Sequence, residues 1–231
     1  MDRVLEPELM DDLEQARAYA EADFDEPNAA FVELFAERCS GWSGSGAIVD
    51  LGCGPGDIVL RLADKFPDCV VHGVDGSAAM LEFAERAKAG HPAADRVHFV
   101  HGFLPGAALP RPRYDAVVSN SLLHHLHQPQ VLWRSIRNLA APGAPVLVMD
   151  LMRPPSAEQA QELVDTYADG EPAVLRTDFY NSLLAAFEPG EIRAQLEFAG
   201  LARFRVEPVS DRHLAAWGRI PQSDVKDVSA S

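Results

Sequence analysis

The run Asp50-Leu51-Gly52-Cys53-Gly54-Pro55-Gly56, entered from the apolar Ile48-Val49, constrains this chain more than any other stretch. Three glycines fall at every second position, directly after an apolar segment that ends in an acid. Glycine reaches positive φ at no Cβ cost and lets another group approach the backbone closely. The following Asp57-Ile58-Val59-Leu60-Arg61-Leu62-Ala63 has helical spacing. A strand, a tight glycine turn and a helix N-terminus, in that order, make a cradle for a nucleotide-type cofactor.

Spacing separates two cofactor classes. The dinucleotide fingerprint G-x-G-x-x-G wants its third glycine where this chain has Asp57, and Gly56 comes one residue early. An acid at a helix N-terminus is favoured by the dipole, but it repels a pyrophosphate bound there. A cofactor with a cationic amine and a sulfonium, and no phosphate, fits better. With Asp50 in front, the run resembles motif I of the class I S-adenosylmethionine (SAM) dependent methyltransferases, an acid followed by G-x-G-x-G.

The resemblance continues downstream. Residues 69–75 read as a second strand ending in Asp75, whose carboxylate can accept both ribose hydroxyls. An NAD site places an acid similarly, so Asp75 alone does not discriminate. The run Gly76-Ser77-Ala78-Ala79-Met80 is similar to the family's D-x-S-x-x-M. That implies a helix cap at Ser77 and Met80 lying against the adenine. Residues 97–100 read as a third strand, followed by His101-Gly102-Phe103-Leu104-Pro105. Many family members have Gly-Asp here; this chain has Phe103, so stacking and backbone contacts are expected to hold the adenine. A fourth strand, 114–119, ends at Asn120. A helix over 129–140 leads through Ala141-Pro142-Gly143-Ala144 into a fifth strand at 145–149, similar to the family's F-D-x-V … L-x-P-G-G-x-L stretch. Residues 204–208 and 213–218 read as a terminal antiparallel pair.

The resemblance covers roughly residues 45 to 151 and implies an α/β fold. Its expected form is a Rossmann-like doubly wound, mostly parallel seven-stranded sheet with an antiparallel last strand, plus N-terminal helices and a helical lid insertion. The cofactor residues it implies are Asp50, Gly52, Cys53, Gly54, Gly56, Asp75, Gly76, Met80, Gly102, Phe103, Leu104, Asn120, Ser121 and His125. Tyr19 is expected to reach the methionine carboxylate from the N-terminal helix. SAM would be the methyl donor and S-adenosyl-L-homocysteine the product. Two alternatives stand beside methyl transfer: a non-catalytic SAM-binding protein, and an NAD-dependent oxidoreductase on the same fold.

Charge narrows the partner. The net charge is −15, with 35 acids against 20 Lys+Arg and no basic cluster. Nucleic-acid binding rests on phosphate neutralisation by a basic face, so a small-molecule substrate is expected and a nucleic acid is not. Enzymes acting on planar amino groups often carry Asn-Pro-Pro-Tyr after the fourth strand; Asn120-Ser121-Leu122-Leu123 keeps only the Asn. No apolar run approaches the ~20 residues of a membrane span, and residues 1–7 lack signal-peptide features. Three scattered cysteines, Cys39, Cys53 and Cys69, suggest a reducing cytoplasm. A homodimer stays open.

The expected organisation is an N-terminal helical cap over 1–44, a body over 45–220 and a flexible tail over 221–231. In the cap, an acidic amphipathic helix covers 8–24, Pro27-Asn28 interrupts, and a second helix covers 29–39. The body carries the lid insertion, 153–189. There Ser156-Ala157-Glu158-Gln159 reads as a capping box, with helices to about 168 and over 173–187.

Acceptor-side residues are harder to read. In His124-His125-Leu126-His127, adjacent histidines on a helix start point in different directions and no second acid or Cys pair lies nearby in sequence, so no metal is expected. His125 is the catalytic candidate, because an imidazole with a pKa of about 6.5 suits a general base. Tyr180 is a second one. Tyr180 and Asn181 are candidates to hold an acceptor oxygen or nitrogen, Arg176 and Arg212 to bind a carboxylate bidentately, and His213 to line the rim. Surface ion pairing is the competing role for both arginines.

Overall fold

The computed structural model describes residues 1–7 and 13–222. Its strands are β1 (Ser45–Leu51), β2 (Asp68–Asp75), β3 (Val97–His101), β4 (Ala116–Asn120), β5 (Pro145–Leu151), β6 (Arg205–Pro208) and β7 (His213–Arg219). They form one sheet in the order β3-β2-β1-β4-β5-β7-β6. Only β7 runs against its neighbours, pairing antiparallel with both β5 and β6. The central strands are continuous apolar runs because both faces of the sheet are covered; all seven residues of β5 are buried.

Among the described residues eight α-helices flank the sheet: α1 (Leu13–Glu21), α2 (Asp25–Arg38), α3 (Asp57–Lys65), α4 (Ala78–Lys88), α5 (Gln130–Leu139), α6 (Ala157–Tyr167), α7 (Ala173–Ala185) and α8 (Pro189–Phe198). Successive strand residues point to opposite faces. Ile48 accordingly joins Phe31, Phe35, Leu62 and Val71 on one side. Val49 joins Trp133, Ile136 and Leu196 on the other. The Trp133 indole donates to Gln195 Oε1 at 2.9 Å and ties α5 to α8.

The fold departs from the sequence reading in four places. Pro27 does not break the second helix but sits in the first turn of α2, where backbone N–H groups have no intrahelical acceptor to lose. That helix is no separate cap: Phe31, Val32 and Phe35 lie in the same core as β1 and β2. The histidines occupy a single 3₁₀ turn, Leu123–His125, instead of a helix start. The fifth strand runs two residues further than expected, to Leu151, carrying Asp150 to the sheet edge. Residues 8–12 of the expected first helix and 223–231 of the expected tail lie outside the described residues. No described helix is long and apolar enough to cross a membrane.

Candidate active site

The sheet order reverses between β1 and β4, and ligands bind beyond the carboxyl ends of strands at such a switch point. Here that edge holds the glycine turn. Its three glycines serve two purposes. Gly52 (φ +78°) would place a Cβ 2.9 Å from the Leu122 side chain, and Gly56 (φ +85°) one 2.6 Å from the Phe99 ring and 2.9 Å from Ala84 Cβ. Both therefore serve close packing of the protein on itself. Gly54 (φ +51°) has nothing within 4 Å of its Cβ position. Of the three, it alone faces open space.

Two acids flank that opening. Asp75 Oδ2 accepts from the Gly54 amide and Oδ1 from the Ser77 amide, each at 2.8 Å. Burial raises its pKa, and those two amides partly offset the rise. Asp50 is 1% exposed, and its Oδ1 has no hydrogen-bond partner. Burial, and then the charge of Asp75, push it up to about 8. Asn120 Oδ1 is likewise buried and unpartnered, next to Ser121, which holds φ +53°. Buried polar atoms are ordinarily satisfied. An orphaned carboxylate oxygen at the head of a turn that holds an open glycine suits a ligand that brings its own donor, such as an ammonium.

Around this centre, Gly102 N donates to Asp75 O at 2.9 Å and His101 Nε2 to Gly76 O at 2.9 Å. Phe103 is 56% exposed, its ring edge-on to His101, while Leu104 turns into the core. Ser77 caps α4, accepting from Met80 N at 3.2 Å. Met80 is buried under α1, against Ala16, Tyr19 and Phe83. The Tyr19 phenol is pushed up to about 12 by burial and by the charges of Asp75 and Asp150. Cys53 packs onto Gly73, where a Cβ would lie 2.8 Å from Sγ; burial raises its thiol pKa well up, so it stays protonated. Asp57 is taken up in joining α2 to α3, accepting from Asn28 Nδ2 at 2.9 Å and Arg61 Nε at 2.6 Å.

A second cluster adjoins the first. The His124 and His125 rings do not diverge: their centroids are 4.1 Å apart at 36°. His124, 2% exposed, bonds through Nδ1 to Asp150. The N-terminal segment crosses the sheet edge and sets Glu6 beside both imidazoles. Glu6 Oε1 lies 3.1 Å from His125 Nδ1 and 3.5 Å from His124 Nε2. Ser182 Oγ donates to Glu6 at 3.2 Å, and His127 Nε2 donates to Glu6 O at 2.8 Å. Arg3 pins the strap by donating to the carbonyls of His124, Leu126 and Ala185, its guanidinium 4.0 Å over the Phe187 ring. Burial works to lower the His124 pKa, yet Asp150 and Glu6 outweigh it and leave it raised. Burial works to raise Asp150 and Glu6, and the histidines outweigh it and leave both lowered.

The other acceptor-side candidates are spread over α7 and the β6–β7 turn, with His213 close enough to feel the charges of Asp150 and His124. Tyr180 packs with the α6 and α7 apolar cluster. Asn181 is exposed. Arg176 pairs with Asp165 of α6 at 2.8 Å. Arg212 pairs with Asp211 at 3.0 Å and covers the Tyr167 ring. His213 starts β7 opposite Leu151, its pKa pushed down to about 4 by burial and by Arg212. From α7, the positions that meet the cluster are Ser182 and Asp178, the latter hydrogen-bonded to Gln15 and held up by burial. Sequence reading missed Glu6, Asp150, Asp178 and Ser182. Asp150 had a signal, since it ends an apolar strand as Asp50 and Asp75 do; Glu6 had none.

Sheet order, reversed last strand and glycine turn define the class I methyltransferase fold. Residues 49–146 match the family model described as "Methyltransferase domain". An uncharacterised methyltransferase of Mycobacterium tuberculosis is 32% identical over 111 residues, which is 48% of this chain and 53% of that protein. A malonyl-[acyl-carrier protein] O-methyltransferase of Halalkalibacterium halodurans is 31% identical over 44% of this chain and 37% of its own length. The chain thus spans about half, or less, of the curated relatives it matches. A SAM-dependent methyltransferase from Aquifex aeolicus superposes with TM-score 0.64 over 90% of this chain and 98% of its own, at 17% identity, a likeness of fold. Over residues 49–146 the chain is thus similar to methyltransferase domains, and its fold is that of the SAM-dependent methyltransferases.

Proposed function

We propose that this protein transfers the methyl group of SAM to a small-molecule acceptor held under the N-terminal strap, α1 and α7. The observation that carries this reading is the buried Asp50, its Oδ1 unpartnered, at the head of the turn that holds the open Gly54, with Asp75 bonded to the Gly54 amide. The ammonium of an aminoacyl chain would answer the first and ribose hydroxyls the second, each charge-assisted bond contributing about 1.5–3 kcal/mol. Asn120, Ser121 and the Gly76 and Gly102 backbones would line the same groove, and the Phe103 ring would cover its outer rim. Tyr19 would close it from α1.

When bound, SAM supplies a methyl group already activated on sulfur. The chain's own work is then alignment of acceptor, carbon and sulfur, and positioning of this kind contributes on the order of 7–11 kcal/mol. The strap and α7 exclude water. His125 takes the acceptor's proton where the acceptor carries one, with the Glu6 carboxylate 3.1 Å away to stabilise the resulting cation. Every arginine expected to bind a carboxylate is engaged elsewhere: Arg176 by Asp165, Arg212 by Asp211. The acceptor side presents Glu6, Asp150 and Asp178 instead. A neutral or cationic acceptor suits it better than a dicarboxylate. Three free, buried cysteines suit a reducing cytoplasm.

The test is calorimetric titration with S-adenosylhomocysteine and with NAD⁺, followed by incubation with methyl-labelled SAM and a panel of amines, alcohols, thiols and carboxylic acids. Binding of the first nucleoside and not the second is expected, with label transfer to a neutral or basic acceptor. Tighter binding of NAD⁺ would overturn the cofactor assignment. Transfer confined to carboxylic acids would overturn the acceptor assignment.

A further inference from the structure

Glu6, His124 and His125 each offer one donor atom, and those atoms all lie within 4.8 Å of one another. The two separations to Glu6 Oε1, 3.1 and 3.5 Å, bracket the ~3.3–3.4 Å expected between ligands in a tetrahedral site with bonds of roughly 2.0–2.1 Å. His125 Nδ1 is buried and makes no properly directed hydrogen bond to Glu6 or to anything else described. Asp150 receives the other nitrogen of His124. It also accepts from the Leu123 amide at 2.6 Å. That is the outer-shell arrangement which fixes a ligand imidazole's orientation and raises its basicity.

Charge points the same way. Two carboxylates, Glu6 and Asp150, are almost fully buried beside two imidazoles. A divalent cation among neutral imidazoles balances them and gives each lone pair a partner. The side chains come from opposite ends of the chain, so a bound ion would also staple the strap to the sheet edge.

We propose that Glu6, His124 and His125 bind a divalent transition-metal ion of the zinc type, with Asp150 orienting His124. Two imidazoles and one carboxylate are a donor set such ions take, and a three-ligand site keeps a fourth position open for a substrate atom. That position faces the acceptor space. The proposal rests on the reading of this edge as the acceptor site. With the ion in place, His125 is a ligand, and polarising the acceptor passes from the imidazole to the ion.

The experiment uses the untagged full chain, stripped with chelator and titrated with Zn²⁺ alone, with metal content measured after desalting and Co²⁺ absorption recorded in parallel. One equivalent of Zn²⁺ per chain is expected, together with visible bands of four-coordinate Co²⁺. Glu6→Gln should weaken Zn²⁺ binding at least tenfold while the protein still melts cooperatively. Should that variant fail to fold, His125→Gln carries the same expectation. No stoichiometric binding by the wild type, or affinity within threefold of it in the folded variant, would overturn the proposal. S-adenosylhomocysteine binding is measured separately. Its failure would count against the cofactor reading and leave the metal result standing, and the reverse holds equally.

Discussion

Two alanine substitutions two residues apart on the glycine turn should rank in opposite order for stability and for cofactor affinity. Gly54→Ala puts a methyl group into open space, and Gly56→Ala drives one to 2.6 Å from Phe99 and 2.9 Å from Ala84. Both residues hold positive φ, which costs a non-glycine roughly 1–2 kcal/mol. For Gly54→Ala that is the whole expense in the absence of ligand. At roughly 2–4 °C per kcal/mol for a domain of this size, Tm should fall by about 2–8 °C. Gly56→Ala adds an overpacking cost of roughly 1–3 kcal/mol. Its total of about 2–5 kcal/mol corresponds to a fall of about 4–20 °C by the same conversion. Affinity should reverse the ranking. The new methyl group at position 54 occupies the space assigned to the cofactor, so S-adenosylhomocysteine should bind at least ~10-fold more weakly, about 1.4 kcal/mol. At position 56 the folded fraction should bind nearly as the wild type does. Differential scanning fluorimetry gives the first quantity and calorimetric titration, well below both midpoints, the second. If Gly54→Ala binds the nucleoside as the wild type does, the cofactor does not lie on that turn.

Three further outcomes follow from the same geometry. Asp50, raised to about 8 in the folded protein against an ordinary carboxylate value near 3.8, binds its proton more tightly folded than unfolded; its contribution is therefore fully present below about 3.8 and is lost as pH rises through about 8. Asp50→Asn should consequently flatten the decline in apo-protein Tm between about pH 4 and 8, the window set by that shift, while removing the partner of the cofactor ammonium; an unchanged pH profile would refute the burial argument. Arg3→Ala removes the pin on the strap, so the Val4 amide, now bonded to Leu184 O at 3.0 Å, should exchange with deuterium much faster while amides of β1 keep their protection. Arg176→Ala breaks only an exposed ion pair with Asp165 and should change stability by less than about 0.5 kcal/mol and KM for the acceptor not at all; a raised KM would restore Arg176 to the substrate site.

Legibility in the sequence tracked the range of the interaction. The glycine turn, Ser77 as a cap and the acids at strand ends are local devices, because a backbone conformation or a strand end restricts the residue standing there. Packing reasons were hidden within them. Nothing in the sequence says that Gly52 makes room for Leu122 or that Gly56 makes room for Phe99, since those partners lie more than 40 residues away. Asp57 read as an electrostatic signal at a helix end, and in the fold it serves α2 through Asn28. Tyr180 and Asn181 looked like the polar face of the lid helix, whereas the turn of α7 that meets the histidines presents Asp178 and Ser182.

By itself the sequence determined the order of strands and helices, the place of the reversed last strand and the turn on which a cofactor would lie. Hydrophobic period, glycine φ and caps act within a few residues, and they are written in consecutive letters. Tertiary structure alone decided which side chains meet around the two histidines. Glu6 meets His124 and His125 from 118 and 119 residues away. That meeting depends on how the strap crosses the sheet edge, on Arg3 finding three carbonyls and on β5 carrying Asp150 two residues past its expected end. Side chains gathered from so many separate elements share no spacing in the chain, only a point in the fold.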